Sequence, residues 1–142
     1  MVALTSEKID IEKILQQLDD QGTGAVVVFL GRVRNHAEGK AVIEMDYEAY
    51  PEMARKKMLE IVERTQEKWP VSKMAIVHRT GHLKLGDVSV LIAVATPHRK
   101  DAFEACHFAI DILKETVPVW KKEYFADGQA WVEGVIPKTS ES

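Results

Sequence analysis

The stretch at residues 96–123 constrains the fold more than any other part of the chain. It opens with three cationic residues at 98–100 and continues with apolar residues at three- and four-residue spacing, which predicts a largely buried helix. Asp101 is predicted to cap this helix, with Glu104 at the capping-box position. Pro118 has no N–H to donate and therefore ends the helix. The predicted apolar stripe consists of Phe103, Cys106, Ile110 and Leu113.

Two lysines accompany this helix. Lys114 lies on its mostly apolar surface, and Lys121 follows on an extended segment after Pro118, from which it can turn back toward Lys114. A lysine in the last turn of a helix can simply complement the helix dipole. A partly buried lysine can instead lose its proton and act as a base or nucleophile. The residues alone leave both interpretations open.

The remaining sequence alternates between predicted strands and two further helices. Strands are predicted at 2–9, 25–30, 42–49, 71–78, 88–95 and 129–135, and helices after Asp10 and from Pro51 to about Lys68. Residues 25–30 read as a buried strand, and 37–40 as a mobile surface loop. In the half-exposed strand at 42–49, Ile43 and Met45 are predicted to share the apolar face.

The order β-α-β-β-α-β-β-α-β predicts an α+β fold. We expect one domain over residues 1–142, with a mixed, mostly antiparallel β-sheet packed against about three helices. No linker or internal repeat interrupts this pattern. The polar tail at 136–142 is predicted to be frayed.

Charge and cysteine content limit the classes of function. The net charge is −3, which argues against a general nucleic-acid coat, because such proteins need an excess of positive charge. The sequence has no secretory signal and no apolar run near the ~20 residues of a membrane span, so it predicts a cytoplasmic protein. The single cysteine, Cys106, excludes an intrachain disulfide and lies in an apolar helix, where a packed, inert thiol is expected.

Most histidines and arginines nevertheless fall in three predicted loops. These clusters are Arg32, Arg34 and His36; His78, Arg79 and His82; and His98 with Arg99. If these strand ends meet at one edge of the sheet, they form a cationic pocket with Lys114 and Lys121. Arginine forks bind phosphate bidentately, so a phosphorylated ligand fits such a pocket. No spacing of residues predicts a metal site or a nucleotide-binding glycine loop.

Four segments resemble a known family. They are GAVVVFLGRVRNH (24–36), YEAYPEMA (47–54), IVHRTGHLKLGD (76–87) and TPHRKDAFEACHFAIDILKETVPVWKKE (96–123). Their order and spacing resemble the large, catalytic subunit of molybdopterin synthase. The HR before the helix, joined to the LK and P-x-W-K pattern after it, is the most specific part of the resemblance.

The resemblance implies an enzyme of molybdenum cofactor biosynthesis. This sulfurtransferase would convert cyclic pyranopterin monophosphate into dithiolene-bearing molybdopterin. Sulfur would arrive as a thiocarboxylate on the C-terminal Gly-Gly tail of a small ubiquitin-like subunit. A homodimer of this chain would bind one small subunit at each end, as a heterotetramer. The step implies no metal and no cofactor, since molybdenum would enter later.

The resemblance also implies roles for individual residues. Lys114 would be the catalytic lysine and Lys121 its partner, with the choice between acid-base and nucleophilic roles for Lys114 left open. The implied substrate contacts are Arg34, His98, Arg99, Phe29 near the pocket, and His36.

Two other classes of function compete with this interpretation. A non-catalytic phosphate- or nucleotide-binding module would bind common nucleotides and tolerate Lys114→Gln. A structural partner of a ubiquitin-like protein would bind an intact Gly-Gly tail without any dependence on the precursor.

Overall fold

The described part of the chain forms two β-sheets and three α-helices. The computed structural model describes residues 1–37, 39–128 and 130–134. The strands are β1 (Val2–Thr5), β2 (Ala25–Arg32), β3 (His36–Ala37), β4 (Lys40–Ala49), β5 (Lys73–Arg79), β6 (Gly81–Lys84), β7 (Val88–Thr96), β8 (Val119–Phe125) and β9 (Ala130–Gly134). The helices are α1 (Ile11–Gln17), α2 (Pro51–Lys68) and α3 (Arg99–Thr116). The predicted α+β class with three helices is confirmed, but the strands form two sheets rather than the one sheet that was predicted.

The first sheet has the strand order β1-β5-β7-β2. Strand β1 is parallel to β5, and the other pairs are antiparallel. The central strands β5 and β7 are buried on both faces, because α2 and α3 cover one face and α1 covers the other. Successive residues of β7 therefore enter different cores, with Ile92 packed toward α3 and Leu91 toward α1. This double burial explains the continuous apolar run at 88–95.

The second sheet is antiparallel and has the order β3-β4-β8-β9, with β6 also paired to β4. A smaller core lies on its inner face and consists of Val33, Val42, Met45, Leu83 and Phe125. Strand β4 leads into α2, and α3 leads through Pro118 into β8. The second sheet is therefore connected to the first through the helices α2 and α3.

Local signals predict most helix ends correctly. The Asp10 carboxylate caps α1 by accepting a hydrogen bond from the backbone N–H of Lys13 at 3.1 Å. Helix α2 spans Pro51–Lys68, as predicted. Helix α3 ends at Thr116, and Val117 is extended before Pro118, which confirms the predicted stop. Among the described residues, no helix has the length and apolar character needed to cross a membrane.

The start of α3 differs from the prediction. The helix begins at Arg99, and its N-cap residue, His98, makes no side-chain capping hydrogen bond. Asp101 lies inside the first turn, and the Glu104 carboxylate accepts a hydrogen bond from the Trp69 indole N–H at 3.1 Å. The predicted cap and capping box are wrong, because Arg99 already belongs to the helix.

The buried face of α3 also differs from the predicted stripe. Phe103 is 62% exposed. The buried residues are Ala102, Ala105, Cys106, Ala109 and Leu113. Cys106 and Leu113 of the predicted stripe are buried as expected, but a prediction based on bulky side chains misses the three alanines, whose small size allows the helix to lie close to the sheet.

Two strand predictions need correction. The register of β4 shifts between Val42 and Glu44, so Val42 is 2% exposed whereas Ile43 is 49% exposed. Such a bulge reverses the alternation on which the prediction depended. Strand β2 is an edge strand with Val26 and Leu30 exposed, so residues 25–30 are not fully buried.

Three strands stand where no strand was predicted. β3 and the start of β4 form a hairpin around the segment predicted to be a mobile loop, of which Glu38 lies outside the described residues. β6 replaces part of a predicted turn, and β8 replaces the extended exit after α3. Each of these strands is defined by pairing with β4, a partner that local sequence does not reveal.

The turn into β2 requires a glycine at position 24. A Cβ there would overlap the backbone carbonyl oxygen of Pro97. We expect Gly24→Ala to lower the free energy of unfolding by about 1–3 kcal/mol, because backbone must move to relieve the overlap. Urea denaturation measures this loss. Gly22→Ala is the matched control, since the nearest atom to its Cβ is Asp20 Oδ1 at 3.8 Å; equal stability of the two variants would contradict the prediction.

Candidate functional site

A pocket of about 310 Å³ opens at the junction of α3 and β8. Strands β4 and β5 complete its walls. Its lining residues are Tyr47, His78, Leu113, Lys114, Val117, Val119, Trp120, Lys121 and Gly134. The walls are thus mainly hydrocarbon and aromatic, and two lysines supply positive charge.

The end of α3 brings the two lysines together. Lys114 lies in the last turn of α3 and is exposed. After the stop at Pro118 the chain enters β8, where Lys121 pairs directly with Tyr47 of β4. Both lysines line the same pocket. The sequence prediction that Lys121 turns back toward Lys114 is therefore confirmed.

A buried carboxylate holds Lys121. Glu123 is 1% exposed, and its Oε1 lies 3.0 Å from Lys121 Nζ. Its other oxygen, Oε2, is buried and has no hydrogen-bond partner in the described ranges. A buried carboxylate is costly unless it is paired. The ion pair therefore stabilises the buried Glu123 and holds the Lys121 ammonium group beside it.

Two arginines lie next to this ion pair. A smaller cavity of about 30 Å³ is lined by Arg32, Arg34, Val42, Met45, Tyr47, Lys121 and Glu123. It shares Tyr47 and Lys121 with the larger pocket. The Arg32 Nε–H donates to the Gly86 carbonyl at 3.1 Å. The structure thus brings Arg34, Lys114 and Lys121 to one region.

His98 and Arg99 lie far from that region in the same copy of the chain. Arg99 begins α3 and Lys114 lies in its last turn, fifteen positions later, which corresponds to roughly 22 Å along the helix. The first sheet shows the same separation. Strand β7 ends at Thr96, which lies opposite Ala25, whereas Arg32 at the other end of β2 lies opposite Val88. The expectation that all three cationic clusters meet at one edge is wrong within a single copy.

His78 is in the pocket, but not as a loop cation. It belongs to β5 and is 4% exposed. Its Nδ1 lies 2.9 Å from the Arg79 carbonyl oxygen, and because a carbonyl can only accept, Nδ1 carries the proton. The Tyr47 ring packs edge-on against the imidazole, with 5.3 Å between ring centroids. Burial lowers the pKa of His78 to about 4, so the ring is neutral near pH 7.

The other two members of that predicted cluster, Arg79 and His82, lie outside the pocket lining. His82 lies on the opposite face of the second sheet, where Nδ1 is 2.9 Å from an Asp46 carboxylate oxygen. The Arg79 guanidinium pairs with Asp87 at 3.5 Å. Neither residue lines the pocket of Lys114.

Three further predicted residues have different positions. Phe29 is half-buried and packs against the core between the first sheet and α3, outside the pocket lining. The backbone of His36 pairs in β3, but its side chain lies outside the described residues. Cys106 is buried, and burial raises the pKa of its thiol to about 11. The thiol therefore stays protonated and inert, which agrees with the prediction.

Sequence reasoning missed Tyr47 and Glu123. Lys121 and Glu123 are two positions apart in a strand, so their side chains share a face. This spacing would have identified the Lys121–Glu123 pair if β8 had been predicted to be a strand. Tyr47 could be assigned to the site only from the pairing of β4 with β8, which places Tyr47 opposite Lys121.

The arrangement suits an anionic ligand with an apolar body. Lys114, Lys121 and Arg34 supply positive charge, and Leu113, Val117 and Trp120 supply apolar surface. Among residues 1–37, 39–128 and 130–134, no group of three or more histidine, cysteine or carboxylate side chains is arranged to hold a metal ion.

The depressed pKa of His78 predicts a pH-dependent stability. The unfolded imidazole binds a proton below about pH 6.5, whereas the buried ring resists protonation down to about pH 4. The unfolded state therefore gains protons first as the pH falls, and stability declines across this window by roughly 3 kcal/mol. Denaturant unfolding between pH 7 and pH 4 measures the decline. His78→Phe cannot titrate, so its decline should be smaller by that amount; identical pH profiles would contradict the prediction.

Comparison with known proteins places the chain in a family. The family model described as MoaE protein matches residues 4–116. A molybdopterin synthase catalytic subunit from Halalkalibacterium halodurans is 44% identical over 138 residues, which cover 97% of this chain and 88% of the relative.

Solved structures agree with this relationship. The X-ray crystal structure of molybdopterin synthase from Staphylococcus aureus is similar at a TM-score of 0.87 and 44% identity, covering 92% of this chain and 95% of that one. A protein-protein complex of subunits 1 and 2 of the molybdopterin-converting factor from Helicobacter pylori contains a similar fold, at a TM-score of 0.74 and 18% identity over 98% of this chain and 91% of that one. The predicted resemblance is confirmed, and the chain belongs to the MoaE protein family.

Proposed function

We propose that the chain, as the catalytic subunit of a molybdopterin synthase, transfers sulfur to cyclic pyranopterin monophosphate and so forms the dithiolene of molybdopterin. The observation that carries the proposal is the meeting of Lys114 and Lys121 in one pocket. Family membership supports the reaction class. The buried, protonated Cys106 offers no nucleophile, so the sulfur must come from outside this chain.

The pocket suits a phosphorylated pterin. Arg34 and the two lysines provide donors for the cyclic phosphate, and each charge-assisted hydrogen bond contributes about 1.5–3 kcal/mol. The ring of the pterin fits against the apolar wall at Leu113 and Trp120. These contacts orient the carbon atoms that receive sulfur toward the lysines.

The sulfur donor is the thiocarboxylated Gly-Gly tail of a small ubiquitin-like subunit. The Helicobacter pylori complex of two converting-factor subunits supports such a pairing. Lys114 acts on the tail carbonyl, either as a general acid-base group or as a transient nucleophile. Lys121, paired with Glu123, lies beside it and stabilises negative charge on the thiocarboxylate.

A second copy of the chain supplies His98 and Arg99. These residues are roughly 22 Å from Lys114 of their own copy, so they contact the same small ligand only across a dimer. Phe103 lies one turn after Arg99 and exposes an aromatic ring that a dimer would cover. We infer a homodimer within a heterotetramer that includes two small subunits.

Lys114→Ala tests the reaction and the lysine together. We expect single-turnover conversion of the pyranopterin precursor, with thiocarboxylated small subunit, to slow by about a hundredfold or more, as for loss of a general acid-base group. Lys13→Ala, on α1 across the first sheet, is the matched control and should retain wild-type turnover. Wild-type turnover by Lys114→Ala would exclude the lysine assignment. If the wild type forms no product but binds nucleotides, the chain is a nucleotide-binding module instead.

Mixed dimers test the two-copy site. We expect Lys114→Ala and Arg99→Ala to be inactive separately but to regain activity when both are co-expressed. In the mixed dimer, one of the two sites receives Lys114 from one copy and Arg99 from the other, so it is intact. Activity of purified mixed dimers, isolated with two different tags, is the measurement. If each site used a single copy, both sites of the mixed dimer would be defective and no activity would return.

A further inference from the structure

His78 is a buried titratable group of the pocket that the proposed reaction leaves without a role. It lines the same cavity as Lys114 and Lys121. A buried imidazole needs a structural or functional reason, because an unpaired polar atom in a protein interior is unfavourable. The hydrogen bond from Nδ1 to the Arg79 carbonyl satisfies one ring nitrogen.

The second ring nitrogen is therefore an acceptor. Since Nδ1 carries the proton of the neutral ring, Nε2 presents a lone pair. No hydrogen bond to Nε2 is formed by the residues that the structure describes. The edge-on packing against Tyr47 holds the plane of the ring. The imidazole is thus fixed, neutral and able to accept one hydrogen bond.

Acceptors are scarce among the other side chains of the pocket. Lys114 and Lys121 offer only donors, the Trp120 indole N–H is a donor, and most remaining lining side chains are hydrocarbon. The Tyr47 hydroxyl is the other group able to accept. A neutral acceptor also adds no charge to a region that already holds two lysines. This chemistry complements a ligand that carries N–H or O–H groups besides its anionic group.

We propose that His78 is a ligand-binding residue that accepts a hydrogen bond, through Nε2, from an N–H or O–H group of the bound substrate. The lysines and Arg34 bind the anionic group of the same molecule. The inference rests on the proposed function, in which the ligand is a pterin that bears such donors. His78 then distinguishes the pterin from a simple phosphate ester.

Calorimetric binding of cyclic pyranopterin monophosphate tests this role. His78→Phe keeps a ring against Tyr47 but removes the acceptor, and we expect it to weaken binding about three- to tenfold, the value of one neutral hydrogen bond. His78→Gln keeps an acceptor near the position of Nε2 and should recover most of the affinity. Binding of the small subunit should be the same for the wild type and both variants.

A spectroscopic measurement on the wild type avoids any effect of a variant on folding. In protein labelled with 15N at histidine, the Nε2 resonance of His78 should move upfield when the precursor is added, because Nε2 then accepts a hydrogen bond. An unmoved resonance overturns the inference, as does equal precursor affinity of wild type and His78→Phe. Parallel loss of precursor and small-subunit binding in His78→Phe would show a structural role and also overturn it. Failure of the wild type to bind the precursor would overturn the proposed function together with this inference.

Discussion

The change of direction at Pro118 is the constraint on which the site depends. Pro118 cannot continue the hydrogen bonding of α3, so the chain leaves the helix just after Lys114 and enters β8. The Pro118 carbonyl accepts a hydrogen bond from the backbone N–H of Tyr50, at the start of α2. This bond ties the exit of one helix to the entrance of the other. The register of β8 against β4 then follows, and it places Lys121 opposite Tyr47.

The titratable groups around the pocket differ in how deeply they are buried. Glu123 is buried but remains compatible with the interior because Lys121 lies 3.0 Å away. His78 has no carboxylate beside it in the described residues, and burial lowers its pKa to about 4, so it is neutral. Lys114 is exposed and retains contact with solvent. The pocket therefore combines two charged lysines with one neutral acceptor in its wall.

Sequence reasoning succeeded where structure is encoded locally. The cap at Asp10, the bounds of α2 and the stop at Pro118 each depend on residues within one helical turn. It failed where long-range pairing decides the outcome: β3, β6 and β8 exist as strands because β4 pairs with them. His78 was misread as a loop cation for the same reason, since its burial comes from strands and helices distant in sequence. Lysines beside a proline could be found locally, but the burial of Glu123 could not, because it depends on the pairing of β8 with β4.

The separation of the cations limits which of them can act together on one small anion. At physiological ionic strength, charges interact appreciably over about 8 Å in solution. Arg99 is roughly 22 Å from Lys114 along α3, so within one copy it adds little to the potential at the pocket. The net charge of −3 gives no general attraction for anions either. His98 and Arg99 can therefore contribute to ligand binding only by direct contact, and direct contact with a ligand beside Lys114 requires the α3 N-terminus of another copy.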